Sequence, residues 1–294
     1  MKHHFGDSLD RTADYWTIIP NRERYAYMAD VDIPEKENVK ILTISKTHEN
    51  WEQVFQCHHL EELTLHDPSK EQVQALSKLT QLKRLRITFL RTADILFLSS
   101  LPHLEELVLE YVSGFSDLTP LVKLPKLRSL HLENLRRVTA FDGLKGLDNL
   151  RYLYISGTLD WNQPIENFEF LKGLPGLEVF SLGFITSKAA FPAFLPLLEL
   201  QNLKKIAFGR ATFKTAEYAF LKVALPNIEG CSWELWWDYE GRYDFLGKGA
   251  GFIKKDSAKA ESRCAEFVSA FEKMKAESEE ILRNYHNNRG LLPI

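Results

Sequence analysis

Cys57, His58 and His59, followed closely by Glu61, Glu62 and His66, come nearest in this chain to a metal-binding cluster. Thiolate, imidazole and carboxylate are all good zinc ligands. Neighbouring side chains on an extended segment point to opposite sides, however, and no second group at ligand spacing accompanies them, so no metal site is expected. Gly247-Lys248-Gly249-Ala250-Gly251 invites a phosphate-loop reading, because glycines let backbone amides approach a phosphate closely. The spacing fails: Gly241 precedes Gly247 by six positions where five are needed, and Gly249 stands where Ser or Thr should follow the lysine. This segment reads as a connector between a strand and a helix. The sequence has no HExxH, no GxSxG and no cysteine nucleophile with an assignable base. Cys57, Cys231 and Cys264 are far apart and form no CxxC pair, which argues against a disulfide framework. No catalytic residue and no cofactor are expected, and the chain reads as a non-enzyme.

Composition narrows the partners. With 294 residues and 45% hydrophobic content, the chain is long and apolar enough for a continuous core. The net charge of −3, from 37 basic and 40 acidic residues, gives no basic field to hold nucleic acid, so none is expected as a partner. The first residues are polar and charged where a secretory signal would be apolar, and no apolar run reaches membrane-spanning length. A cytoplasmic protein with no membrane contact is expected.

The elements that must position any site come from an internal repeat. The pattern L-x-x-L-x-L, with other apolar residues allowed at the fixed places, begins at Val39, Leu60, Leu82, Leu104, Leu127, Leu150, Leu177, Leu203 and Ile228. Successive starts are 21, 22, 22, 23, 23, 27, 26 and 25 residues apart. In a strand, Leu63 and Leu65 point one way while Glu62 and Thr64 point the other, so each unit has one core face and one outward face. Nine short parallel strands are expected in one sheet. The second half of each unit has apolar residues every third position, as in Phe115, Leu118, Leu121 and Leu124, which fits a short helix or 3₁₀ turn. Pro102, Pro125, Pro175 and Pro226 then stop that element two residues before the next strand's first apolar residue.

Residues 39–235 resemble the leucine-rich-repeat superfamily, and units of this length with a three-spaced second half are similar to those of internalins and of phosphatase-regulatory repeat proteins. The resemblance implies an α/β horseshoe solenoid and a protein-binding role. The chain departs from the family at the ninth place of each unit, where an asparagine is usual. Here stand Pro68, Leu90, Val112, Leu135, Thr158, Ile185 and Ala211, so the turn after each strand must satisfy its backbone groups by other means.

A solenoid needs covers at its ends. Residues 1–38 are expected to form an amino-terminal cap through Tyr15, Trp16, Ile18, Ile19, Tyr25 and Tyr27. Residues 236–294 are expected to form a carboxyl-terminal aromatic segment and a capping amphipathic helix. The helix is predicted over about 256–286, with Asp256 or Ser257 as N-cap. Cys264, Phe267, Val268, Phe271, Met274, Ile281, Leu282 and Tyr285 should make its buried face.

The outward strand positions form columns that can be read in advance. In the middle repeats they gather Arg84, Arg86, Glu106, Glu110, His131, Glu133, Tyr152 and Tyr154 into one patch, with Phe89, Tyr111 and Phe184 along its rim. Arginine and tyrosine are enriched at interface hot spots, so this patch is the expected site for a protein partner. The same charges also suit a self-neutralising ladder across strands. Because the patch is placed on the solvent side, changing Arg86, Tyr152 and Tyr154 to Ala is expected to leave stability nearly unaltered. Two alternatives stay open: an enzyme or ligand sensor with a small-molecule pocket in the aromatic carboxyl segment, and an exported adhesion or effector protein.

Overall fold

The computed structural model describes residues 26–288. The strands in chain order are β1 (Ala26–Met28), β2 (Ile41–Ser45), β3 (Glu62–His66), β4 (Arg84–Thr88), β5 (Glu106–Glu110), β6 (Ser129–Glu133), β7 (Tyr152–Ser156), β8 (Gln163–Ile165), β9 (Val179–Gly183), β10 (Ile185–Ser187) and β11 (Lys205–Phe208). A nine-stranded parallel sheet runs β1-β2-β3-β4-β5-β6-β7-β9-β11, while β8 and β10 form a separate parallel pair. Alternation does what it must: Leu63, Leu65, Leu107, Leu109, Leu130, Leu153 and Ile155 are fully buried on the inner face.

The three-spaced apolar residues wind into 3₁₀ turns, among them Leu96–Ser100, Thr119–Lys123, Glu169–Gly173 and Leu195–Glu199. Phe115, Leu118, Leu121 and Leu124 all point into the core from one such segment. Two helices complete the repeats, α1 (Lys70–Ala75) and α2 (Thr215–Ala224).

The strand starts predicted a ninth strand at Ile228, but the chain there makes only an isolated bridge between Glu229 and Lys205. Gly230 stops the extension: it takes the left-handed φ of 86°, and a Cβ on it would lie 1.9 Å from the carbonyl oxygen of Ile206. The ninth strand of the sheet is β1 instead, which pairs with β2 through Ala26↔Ile41 and Met28↔Thr43. The rest of the proposed amino-terminal aromatic stretch, Tyr15 to Tyr25, lies outside the described residues.

Of the places where asparagine is usual, those of Leu90, Val112, Leu135 and Ile185 hold buried core residues. Backbone groups in the turn are satisfied by continuing the ladder one residue beyond the strand. The N–H groups of Asp67, Phe89, Tyr111 and Asn134 donate to the carbonyls of Thr88, Glu110, Glu133 and Ser156 in the next repeat. Buried Gln163 adds what an asparagine would supply, accepting from Leu135 N–H at 2.9 Å and donating to the Val138 carbonyl at 2.7 Å.

Beyond the repeats lie β12 (Trp236–Tyr239), β13 (Arg242–Phe245) and β14 (Phe252–Lys254), an antiparallel sheet, followed by α3 (Ala260–Asn288). The glycine-rich segment joins β13 to β14, two strands, not a strand to a helix. α3 packs along α2, with Phe271 buried and the Phe267 ring stacked on Phe245 at 4.6 Å. Val268, assigned to the buried face, is exposed. No described helix is long and apolar enough to cross a membrane.

Candidate functional site

The register of the parallel strands brings the predicted patch together. Arg84 pairs with Glu106, Glu106 with Ser129 and Ser129 with Tyr152 along one column; Arg86 pairs with Val108, Val108 with His131 and His131 with Tyr154 along the next. Glu110 and Glu133 are partners in a third. A strand ladder of this length built from one repeated apolar hexapeptide, with 3₁₀ turns on the opposite side, fixes the architecture. The chain is a leucine-rich-repeat solenoid.

Solved structures of this architecture are similar at low identity. An internalin, InlF, from Listeria monocytogenes is 19% identical over 58% of this chain and 50% of its own length, with a TM-score of 0.43. Internalin C2 from the same organism is 22% identical over 61% of this chain and 77% of its own, also at 0.43. A plant peptide hormone receptor, RGFR1 in complex with RGF2, is 12% identical over 67% and 33%, at 0.41. The solenoid thus spans about half the length of the InlF structure. No family model matches the chain, and no curated protein sequence does.

The outward face of the solenoid is less open than the alternation rule implies. Glu106 is 1% exposed, and Arg84 lies against it at 3.1 Å. Arg128, which the sequence reading passed over, reaches Glu106 at 2.9 Å and Glu105 at 3.2 Å. These residues form an ionic ladder, buried at Arg84 and Glu106 and partly open at Arg128 and Glu105, the second of the two readings the charges allowed. Tyr152 is 9% exposed and packs with Val108 and Val179, with Tyr154 against them. The expectation that Arg86, Tyr152 and Tyr154 can be removed without opening a gap is therefore wrong for the tyrosines. Strands about 4.8 Å apart leave long side chains no room to stand free, and they fold onto the next repeat.

A second network holds the remaining patch residues. Glu110 Oε2 accepts from Arg86 Nε at 2.8 Å and from Nη2 at 2.5 Å. His131 Nε2 lies 3.7 Å from Glu110 Oε1 and 3.5 Å from Glu133 Oε2, and its ring meets that of Tyr154 at 4.4 Å. Burial raises the Tyr154 phenol pKa, opposed by its hydrogen bond to Ser156 and reinforced by the charges of Glu133 and Glu110.

The rim residues are where the face opens. Phe89, Tyr111 and Phe184 each follow a strand directly and are 52%, 39% and 47% exposed. All three take left-handed φ, at 59°, 54° and 45°. Phe89 stacks on Tyr111 at 4.8 Å and meets the His66 ring edge-on at 5.4 Å. An aromatic residue in this backbone region is strained, by roughly 1–2 kcal/mol.

The Cys57 cluster does not assemble. Cys57 is buried, with its thiol pushed up to about 11 by desolvation, while His58 and His59 are exposed on the adjoining turn. An open cleft of about 660 Å³ lies beside the rim, lined by Val73, Leu90, Arg91, Phe97 and Arg137 among others. The aromatic carboxyl segment presents a face: Trp237, Tyr239 and Phe252 are exposed, with the Arg210 guanidinium 4.6 Å from the Trp237 ring centre and Arg242 4.7 Å from that of Phe252.

Proposed function

We propose that this chain is an intracellular binding module that holds a protein partner across the outward face and rim of its solenoid. The carrying observation is the strained, exposed aromatic rim. Phe89 and Tyr111 stand half-exposed in left-handed geometry, where glycine or asparagine would make the same ladder hydrogen bond with less strain. Aromatic side chains so placed supply large contact area at small entropic cost, as interface hot spots do. The ionic ladder beneath keeps that face rigid. Three free thiols suit a reducing compartment.

Trp237, Tyr239 and Phe252, with their two arginines, favour a second contact area on the carboxyl-terminal sheet. They form an open face, which fits a macromolecular surface better than an enclosed small-molecule pocket.

The test is to recover the partner with the intact chain and titrate the double variant Phe89→Ser, Tyr111→Ser against it. Val122→Ser, on the opposite side in an exposed 3₁₀ turn, serves as control. Losing two hot-spot residues at about 2 kcal/mol each should weaken binding on the order of a thousandfold. Unchanged affinity with a changed control would move the interface off this face.

A further inference from the structure

We propose that Glu110, His131 and Glu133 form a binding site for a divalent transition-metal ion, zinc by its ligand chemistry, on the outward face of the solenoid. One imidazole and two carboxylates each offer one ligand atom, and these three atoms lie within 4.8 Å of one another. An ion bonded at about 2.0–2.1 Å in tetrahedral geometry sets its ligands about 3.3–3.4 Å apart. The imidazole Nε2 is already 3.7 Å and 3.5 Å from the two carboxylate oxygens, close to that spacing and too far for a hydrogen bond.

The second observation is the state of that nitrogen. His131 is 8% exposed, and its Nε2 is buried with no hydrogen-bond partner. A buried polar atom is costly to leave unsatisfied, so its direction toward two carboxylates calls for something between them. Neighbouring groups fix the ligands as outer-shell partners do. Arg86 grips Glu110 through Oε2 and leaves Oε1 turned to His131, and the Tyr154 ring lies against the imidazole. The Arg86 charge opposes a cation, which points to modest affinity. Three protein ligands leave a tetrahedral ion one further position, for water or a donor from a bound molecule. The site is a property of the free chain and stands or falls independently of the protein-binding proposal.

The experiment titrates zinc into the intact, metal-stripped chain by calorimetry, with thermal unfolding in parallel, and repeats it with cobalt to read the ligand set by absorption. All variants carry His3→Ala and His4→Ala, which removes the histidine pair near the amino terminus. The expected result is one zinc per chain, a melting temperature raised by zinc, and a cobalt spectrum free of thiolate charge transfer. His131→Ala and Glu133→Gln should each weaken uptake by at least about a hundredfold. His58→Ala with His59→Ala should not change it. Glu133→Gln is isosteric at a partly exposed position, and an unaltered melting curve in chelator confirms that it folds. Absence of saturable uptake, a thiolate band, or binding that survives Glu133→Gln would overturn the proposal.

Discussion

Glu217 projects from α2 with its carboxylate accepting from the backbone N–H of Ala193 at 3.0 Å, in a site that buries nearly all of the residue. Burial pushes its pKa up from 4.5 to about 7, against the opposing effect of that one hydrogen bond. The folded chain therefore holds this proton more tightly than the unfolded chain does, and ionisation works against the fold. The contribution is fully present below about pH 4.5, is lost as pH rises toward about 7, and amounts to a few kcal/mol. The melting temperature should fall between those pH values, and Glu217→Gln should remove that part of the fall. A variant with an undiminished pH dependence would show that other groups cause it. The rim makes a second prediction at this scale. At position 89, Gly should be more stable than Ala by about 1 kcal/mol, because only Gly takes the left-handed φ without strain. Equal stability of Phe89→Gly and Phe89→Ala in denaturant titrations would remove the strain argument. The strain itself was not legible in the sequence: aromatic side chains argue against a positive φ, and only the ladder running one residue past each strand imposes it.

The strands and 3₁₀ turns were legible because their signal is local and repeated. Leu63 and Leu65, or Phe115 to Leu124, declare their element by spacing alone. Leu130→Ala should cost about 2–5 kcal/mol, since the side chain is fully buried between neighbouring repeats. A loss below about 0.5 kcal/mol would place Leu130 off the core face. Elements outside the repeat were harder. β1 is three residues long, α2 lies within a unit whose length had already drifted, and Gly230 ends extension at a place where the hexapeptide still matches. Each depends on what it packs against, which no window of sequence contains. The candidate site shows the same division. Its columns follow from register, whereas the burial of Glu106 and Tyr152 follows from Arg84, Arg128, Val108 and Val179 in neighbouring repeats.

In the whole molecule each repeat contacts mainly its neighbours, so the ends decide solubility. α3 and the sheet before it cover the last repeat through Phe245, Phe267 and Phe271. Deleting residues 256–294 should expose that apolar surface and yield an aggregating chain, whereas a soluble monomer with an unchanged melting transition would show that α3 is no cover. The most direct test of binding through the outward face places a photoactivatable cross-linking side chain at position 111 on the rim and, separately, at position 122 on the opposite turn, and irradiates each with the partner bound. Position 111 should join the partner and position 122 should not. Cross-links from position 122 with none from position 111 would contradict binding through this face.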